Sequence, residues 1–157
     1  MVNEPQPADR AGCIADLYRR EYAPMVRLAH LLLGSNEAAE DVVQDSFVRL
    51  YRNWDRAEQP GPYLRAVVVN RCHSWRRRRL LERERLPRPA PEAVGSEACE
   101  LLDALARLGL RQRTALVLRF YADLSEAEVA SALGCRPGTV KSLVHRGLRQ
   151  LEGMIER

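Results

Sequence analysis

Residues 124–151, LSEAEVASALGCRPGTVKSLVHRGLRQL, constrain this chain more than any other stretch. Ser125 is a good helix N-cap, and Glu128 three residues later completes the pattern of a capping box. Val129, Ala130 and Leu133 then fall on one helical face. Gly134 supplies the tight turn, and Ala130 is small enough to let a second helix cross closely. Pro137 suits the first turn of that second helix. From Thr139 onward, Val140, Val144, Gly147, Leu148, Leu151 and Ile155 keep near-helical spacing and are expected to face inward. Lys141, Ser142, His145, Arg146 and Arg149 fall on the other side. This is the pattern of a helix-turn-helix, and major-groove reading requires such a polar, basic face at the start of a second helix. An ordinary helical hairpin with a solvated charged face is the competing reading. The turn glycine, the caps and the polar face together favour DNA.

The rest of the chain has to be consistent with that face. At 157 residues it is long enough for one mid-sized domain or two small ones. A net charge of +4 permits a polyanionic partner without demanding one, but the charge is unevenly placed. Residues 63–88 hold nine Arg against two Glu, while residues 36–48 and 91–106 each hold four acids and no base. The four cysteines, Cys13, Cys72, Cys99 and Cys135, are far apart and form no CxxC pair. They are expected to be small core residues, with no metal site and no cofactor. The first ten residues lack the apolar core of a signal peptide, and LAHLLLG is too short to span a bilayer. A reduced, cytoplasmic protein is expected. His30, His73 and His145 are isolated along the chain, and no nucleophile–base pair or phosphate-cradling loop is visible, so the chain is not expected to be an enzyme.

Helical periodicity recurs at 11–33 with a break at Pro24, at 37–52, and from about 62 to 81. It returns at 97–108, 111–122, 126–133 and 138–155, and no strand pattern is present. Gly34-Ser35-Asn36 ends the first helix, with Asn36 able to cap the next. The segment RLPRPAPEAVG, 85–95, carries three prolines and a glycine and reads as a linker. The expected fold is all-α: a polar tail at 1–10, one small helical domain at 11–84, a flexible linker at 85–96, and a second domain with the helix-turn-helix at 97–157.

The first domain carries two unusual helices. On 37–52, Val43, Phe47, Leu50 and Tyr51 share an apolar face while Asp41, Gln44, Asp45 and Arg49 line much of the other. Acids repel DNA, so this face suggests a protein partner with a basic surface; a merely solvated face is the plainer alternative. On the third helix, apolar Leu64, Val67, Val68 and Cys72 back a face that brings Asn70, Arg71, Ser74, Trp75 and Arg78 within reach of one another. Arg positions DNA through phosphates, Asn can bond a base edge, and Trp75 or Tyr63 can stack on an unpaired base. That mixture suits melted nucleic acid better than an intact duplex. A solvated helix end with Trp75 covering the core is the alternative.

Taken in order, AAEDVVQDSFVRLY, YLRAVVVNRCHSWRRRR and RLGLRQRTALVLRFYADLSEAEVASALGCRPGTVKSLVHRGLRQLE resemble the extracytoplasmic-function sigma factors, the small two-domain members of the sigma-70 family. The resemblance covers about residues 13–152. It implies that the helix with Asp41, Gln44, Asp45, Phe47 and Arg49 docks on core RNA polymerase, at the coiled coil of the β′ clamp. It implies that Tyr63, Asn70, Arg71, Ser74, Trp75, Arg77 and Arg78 engage the −10 element. The preceding loop, with Trp54, is similar to the loop that captures a flipped base, whose extraction a stacking pocket offsets. The helix-turn-helix would read duplex −35 DNA through Arg136, Thr139, Lys141, Ser142, His145, Arg146 and Arg149. The implied partners are core polymerase (the β′ clamp and the β subunit), promoter DNA and an anti-sigma factor, with the free chain monomeric and no membrane insertion. Two positions depart from the family pattern: Ser74 stands where an acid is common, and Tyr63 where a tryptophan is frequent.

A second reading keeps the helix-turn-helix but makes the first domain a sensing or dimerisation module of a one-component regulator. It predicts a dimer with tight binding to symmetric half-sites. An adaptor that only binds polymerase is a third. A sensor has no reason to combine an acidic docking helix, an Arg-Trp helix and an open tether.

Overall fold

The computed structural model describes residues 7–83 and 97–156, and among these every regular element is helical. The first three helices, α1 (Pro7–Leu33), α2 (Asn36–Arg52) and α3 (Pro60–Arg83), pack on one another, with a 3₁₀ turn at Trp54–Arg56 between the last two. The second group is α4 (Glu97–Ala106), α5 (Leu110–Leu116) running into a π turn at Val117–Tyr121, α6 (Glu126–Leu133) and α7 (Pro137–Ile155). The expected linker lies outside the described residues.

Helix α1 departs from expectation twice. It begins at Pro7, inside the expected polar tail, and it passes through Pro24 without a break. Proline removes one internal hydrogen bond. Burial of Leu17, Met25, Leu28 and Leu32 along the same helix holds the two halves in register. Gly34, with φ of 73°, closes α1, and its N–H donates to the His30 carbonyl. Ser35, not Asn36, caps α2: its hydroxyl accepts from the Ala38 N–H, while the Asn36 side chain accepts from His30 Nδ1 at 2.8 Å. The core of this group is Leu28, Leu32, Val43, Leu50, Leu64, Val68, Val69 and Cys72, all essentially inaccessible. Val69 takes the fully buried position expected of Val67, which is only half-buried.

The helix-turn-helix follows its local signals closely. Ser125 and Glu128 form the reciprocal capping box, Gly134 ends α6 in the left-handed region at φ 63°, and Pro137 opens α7. Val140, Leu143 and Gly147 are the buried face of α7. Gly147 lets α7 approach α5 so closely that a Cβ there would meet Leu116 Cδ1 at 2.8 Å. The inward stripe fades toward the end, with Leu148 and Ile155 exposed. Helix α7 outruns the elements available to cover it.

The two groups also meet. Helix α3 packs on α6, and α1 packs on α4, α5 and the π turn. At the centre of this seam lies Arg113, only 2% exposed. Its Nε donates to the Leu105 carbonyl at 2.6 Å and a terminal nitrogen donates to the Leu32 carbonyl. Both carbonyls belong to last turns, of α4 and α1 respectively, where four carbonyls lack helical partners and the helix dipole is negative. One guanidinium thus serves two helix ends, one from each group. Beside it His73 Nε2 lies 2.8 Å from Thr114 Oγ1. The Thr114 hydroxyl gives its proton to the Leu110 carbonyl at 2.7 Å, so His73 is the donor. Arg27 Nε reaches the Tyr121 hydroxyl at 3.0 Å.

Cysteine usage is mixed. Cys72 is fully buried, and burial pushes its thiol up to about 12. Cys135 is half-buried, but Cys13 is exposed, against the expectation of a core residue; Cys99 carries no described side chain.

Candidate nucleic-acid interface

Helix α7 presents Lys141, Ser142, His145, Arg146 and Arg149 to solvent, directly above the buried Val140, Leu143 and Gly147. Arg136, the residue before α7, is exposed as well, and Thr139 is half-buried. The ties among these groups are local. Ser142 Oγ donates to the Gly138 carbonyl at 3.2 Å, and Arg146 Nε donates to the Ser142 carbonyl at 3.2 Å. Lys141 Nζ lies 3.7 Å from the Glu126 carboxylate at the start of α6. Glu128, two residues further, is held below the usual carboxylate range by its hydrogen bonds with Ser125. The cationic groups of α7 therefore extend from a rigid helix with little to displace before a phosphate or base edge is met.

The first group offers a different geometry. Helices α2 and α3 enclose an open cleft of about 600 Å³. From α2 come Asp41, Gln44, Asp45 and Arg49; from α3 come Asn70, Arg71, Ser74, Trp75 and Arg78. The acidic and basic candidate residues thus face each other across one space, and Arg71 and Asp45 form an ion pair across it. Trp75 is half-buried against the core, and the Arg79 guanidinium lies 5.6 Å from its ring centre. Trp75 therefore covers core, as the plainer alternative had it, and also lines the cleft.

Three expected −10 residues are not in the cleft. Trp54 sits in the 3₁₀ turn and Tyr63 near the start of α3, both half-buried against the core. Arg77 is exposed beside His73. One expected docking residue is placed beneath the surface: Phe47 is 6% exposed and packs on Tyr18, with ring centroids 4.9 Å apart. Its position on the apolar face of α2 already pointed inward. Phe47 supports the docking face rather than forming it.

The seam leaves no trace in the sequence pattern. Burial holds His73 below its ordinary range, with Arg111 and Arg77 adding to the effect. Burial, and then Arg76, pushes Arg113 down to about 10. The last of the three arginines in RLGLRQR gives no sign that it will be buried, because the carbonyls it meets lie on other helices. Among the described residues, no group of His, Cys, Asp and Glu is placed to hold a metal ion, and no helix is long and apolar enough to cross a membrane.

Known proteins share these sequence regions and this fold. Residues 17–80 match the family model for Sigma-70 region 2, and residues 100–151 match that for Sigma-70, region 4. The chain is 37% identical over 136 residues to the RNA polymerase sigma-E factor of Streptomyces coelicolor, spanning 81% of this chain and 77% of that one. It is 30% identical over 158 residues to the ECF RNA polymerase sigma factor SigL of Mycobacterium tuberculosis, spanning 92% and 89%. The fold resembles that of the sigma factor RpoE, solved with the anti-sigma factor NepR from Bartonella quintana, with a TM-score of 0.74 at 24% identity, covering 90% of this chain and 97% of that one. It also resembles CnrH, solved with the cytosolic domain of CnrY, with a TM-score of 0.71 at 21% identity, covering 91% and 87%.

Proposed function

Because this chain belongs to the extracytoplasmic-function sigma factors of the sigma-70 family, we propose that it grips core RNA polymerase and promoter DNA through the α2–α3 cleft and the α7 face together. It is an RNA polymerase sigma factor that directs promoter-specific transcription initiation. The paired region 2 and region 4 matches favour this over a one-component regulator, since the first domain itself matches Sigma-70 region 2.

The observation that carries the residue-level reading is the α2–α3 cleft. Asp41, Gln44 and Asp45 on one wall suit a basic protein surface, and Asn70 and Arg78 on the other suit DNA that has lost its pairing. The exposed Lys141, Ser142, His145, Arg146 and Arg149 suit the major groove of duplex −35 DNA. In this reading residues 11–84 dock on the β′ clamp and hold the −10 element, residues 97–157 hold the −35 element beside the β subunit, and 85–96 joins them. Trp54 and Tyr63 border the cleft-forming helices and would receive an extruded base. The work is done in the cytoplasm, without catalysis by this chain. The structural neighbour RpoE was solved with the anti-sigma factor NepR, which supports such a partner here.

Reconstitution with bacterial core polymerase and a promoter library tests the proposal. Run-off transcripts that depend on this chain are expected, and a chain that never co-purifies with core would refute it. Asp41→Arg combined with Asp45→Arg should abolish core binding while circular dichroism stays unchanged. Unaltered core affinity in that variant would show the acidic face to be merely solvated.

A further inference from the structure

Asp45 and Arg71 belong to two different proposed surfaces, yet they are each other's ion-pair partner. The two side chains are 46% and 25% exposed, so a competing charge can reach either one from the cleft they line. Neither residue can serve both ends at once. A carboxylate already neutralised by Arg71 attracts a basic protein surface less strongly, and a guanidinium held by Asp45 is not free to meet a phosphate. An ion pair this open to water contributes little to stability, so the fold does not oppose its opening. What changes on opening is the partner of each charge.

We infer that the Asp45–Arg71 pair couples polymerase docking to DNA engagement: a basic docking surface captures Asp45 and so releases Arg71 to the DNA backbone. This rests on the proposed roles of α2 and α3. Arg71 then opposes docking in the free chain and contacts DNA once released. The coupling runs both ways, because DNA that captures Arg71 must equally free Asp45 for polymerase. In the free chain each charge masks the other, which lowers affinity for DNA until core is present.

The sign of two substitutions separates this from a simple structural brace. With the full chain and bacterial core polymerase, Arg71→Gln should bind core about two- to fivefold more tightly than wild type, the range expected for removing one exposed competitor. Arg71→Lys, which keeps the charge, should restore wild-type core affinity. Without core, Asp45→Asn should bind a short labelled single-stranded DNA of mixed sequence more tightly, again by about two- to fivefold. Asp41→Asn removes the same charge one turn earlier on α2, where no ion pair is found among the described residues, and should strengthen DNA binding less. Arg71→Gln with unchanged or weaker core affinity would overturn the inference, as would equal effects of Asp45→Asn and Asp41→Asn. Wild-type chain that fails to bind core at all would instead overturn the functional proposal beneath it.

Discussion

The α7 face and the α2–α3 cleft are both proposed to meet promoter DNA, and they are built in opposite ways. On α7 the polar groups stand on one helix, exposed, with partners no further off than one turn or the neighbouring α6. In the cleft, basic and acidic walls come from separate helices and are tied by Arg71 and Asp45. A face of the first kind is available as soon as it folds. A face of the second kind responds to whatever competes for its internal charges. The difference matches the two proposed tasks: reading an intact duplex, and holding melted DNA only once polymerase has arrived.

The largest expected effect removes what the two regions share. Arg113→Ala leaves the Leu32 carbonyl without its donor, leaves the Leu105 carbonyl with only the Leu108 N–H, and opens a cavity, so urea denaturation should show a loss of about 3–5 kcal/mol. A loss below about 1 kcal/mol would mean that the seam is not what supports both faces. Arg146→Ala should act on one side only. It should weaken binding of the polymerase complex to duplex −35 DNA by about 1–3 kcal/mol if the guanidinium reads a base, with single-stranded binding unchanged. Equal loss on every duplex sequence would make it a phosphate anchor. Ser125→Ala breaks the capping box and should cost about 1 kcal/mol of stability, leaving the cleft intact. Altered core affinity in that variant would contradict the separation of the two regions.

The smallest effect is a pH dependence at the seam. His73 is held below its ordinary range by burial and by Arg111 and Arg77, and it faces Thr114. The unfolded chain therefore takes up this proton more readily than the folded one, and stability falls with falling pH. The loss starts near the ordinary histidine value of about 6.5 and continues down to the lowered folded value. Urea midpoints across that window should shift more in wild type than in His73→Asn. Parallel curves would show that the packing of α3 on the second group does not depend on this ring.

The same contrast explains what could be read from the sequence. The helix-turn-helix was legible because its determinants are local: Ser125 with Glu128, Gly134, Pro137 and the spacing of Val140 and Gly147 each act within a turn or two. The all-helical fold and most element positions followed for the same reason. The acidic and basic helices were visible one at a time, but their meeting in one cleft was not, since no pattern in either helix specifies the ion pair of Asp45 with Arg71. For Phe47 the family resemblance points to docking while its periodicity points to the core, and the core is where it lies. The continuity of α1 through Pro24 and the burial of Arg113 depended on packing partners distant in sequence. Local chemistry predicts elements, while tertiary contacts decide which charges are free.

The account turns on a division of labour in which neither face is sufficient alone. Its most direct test is the affinity of the full chain for promoter-containing DNA with and without core polymerase at one fixed salt concentration. The free chain is expected to bind weakly, in the range of about 10⁻⁴ to 10⁻⁶ M typical of non-specific contacts. With core present, binding should become sequence-specific and reach about 10⁻⁸ M or tighter. Tight, sequence-specific duplex binding by the free chain, unchanged by core, would contradict the account and make this protein a free-standing regulator.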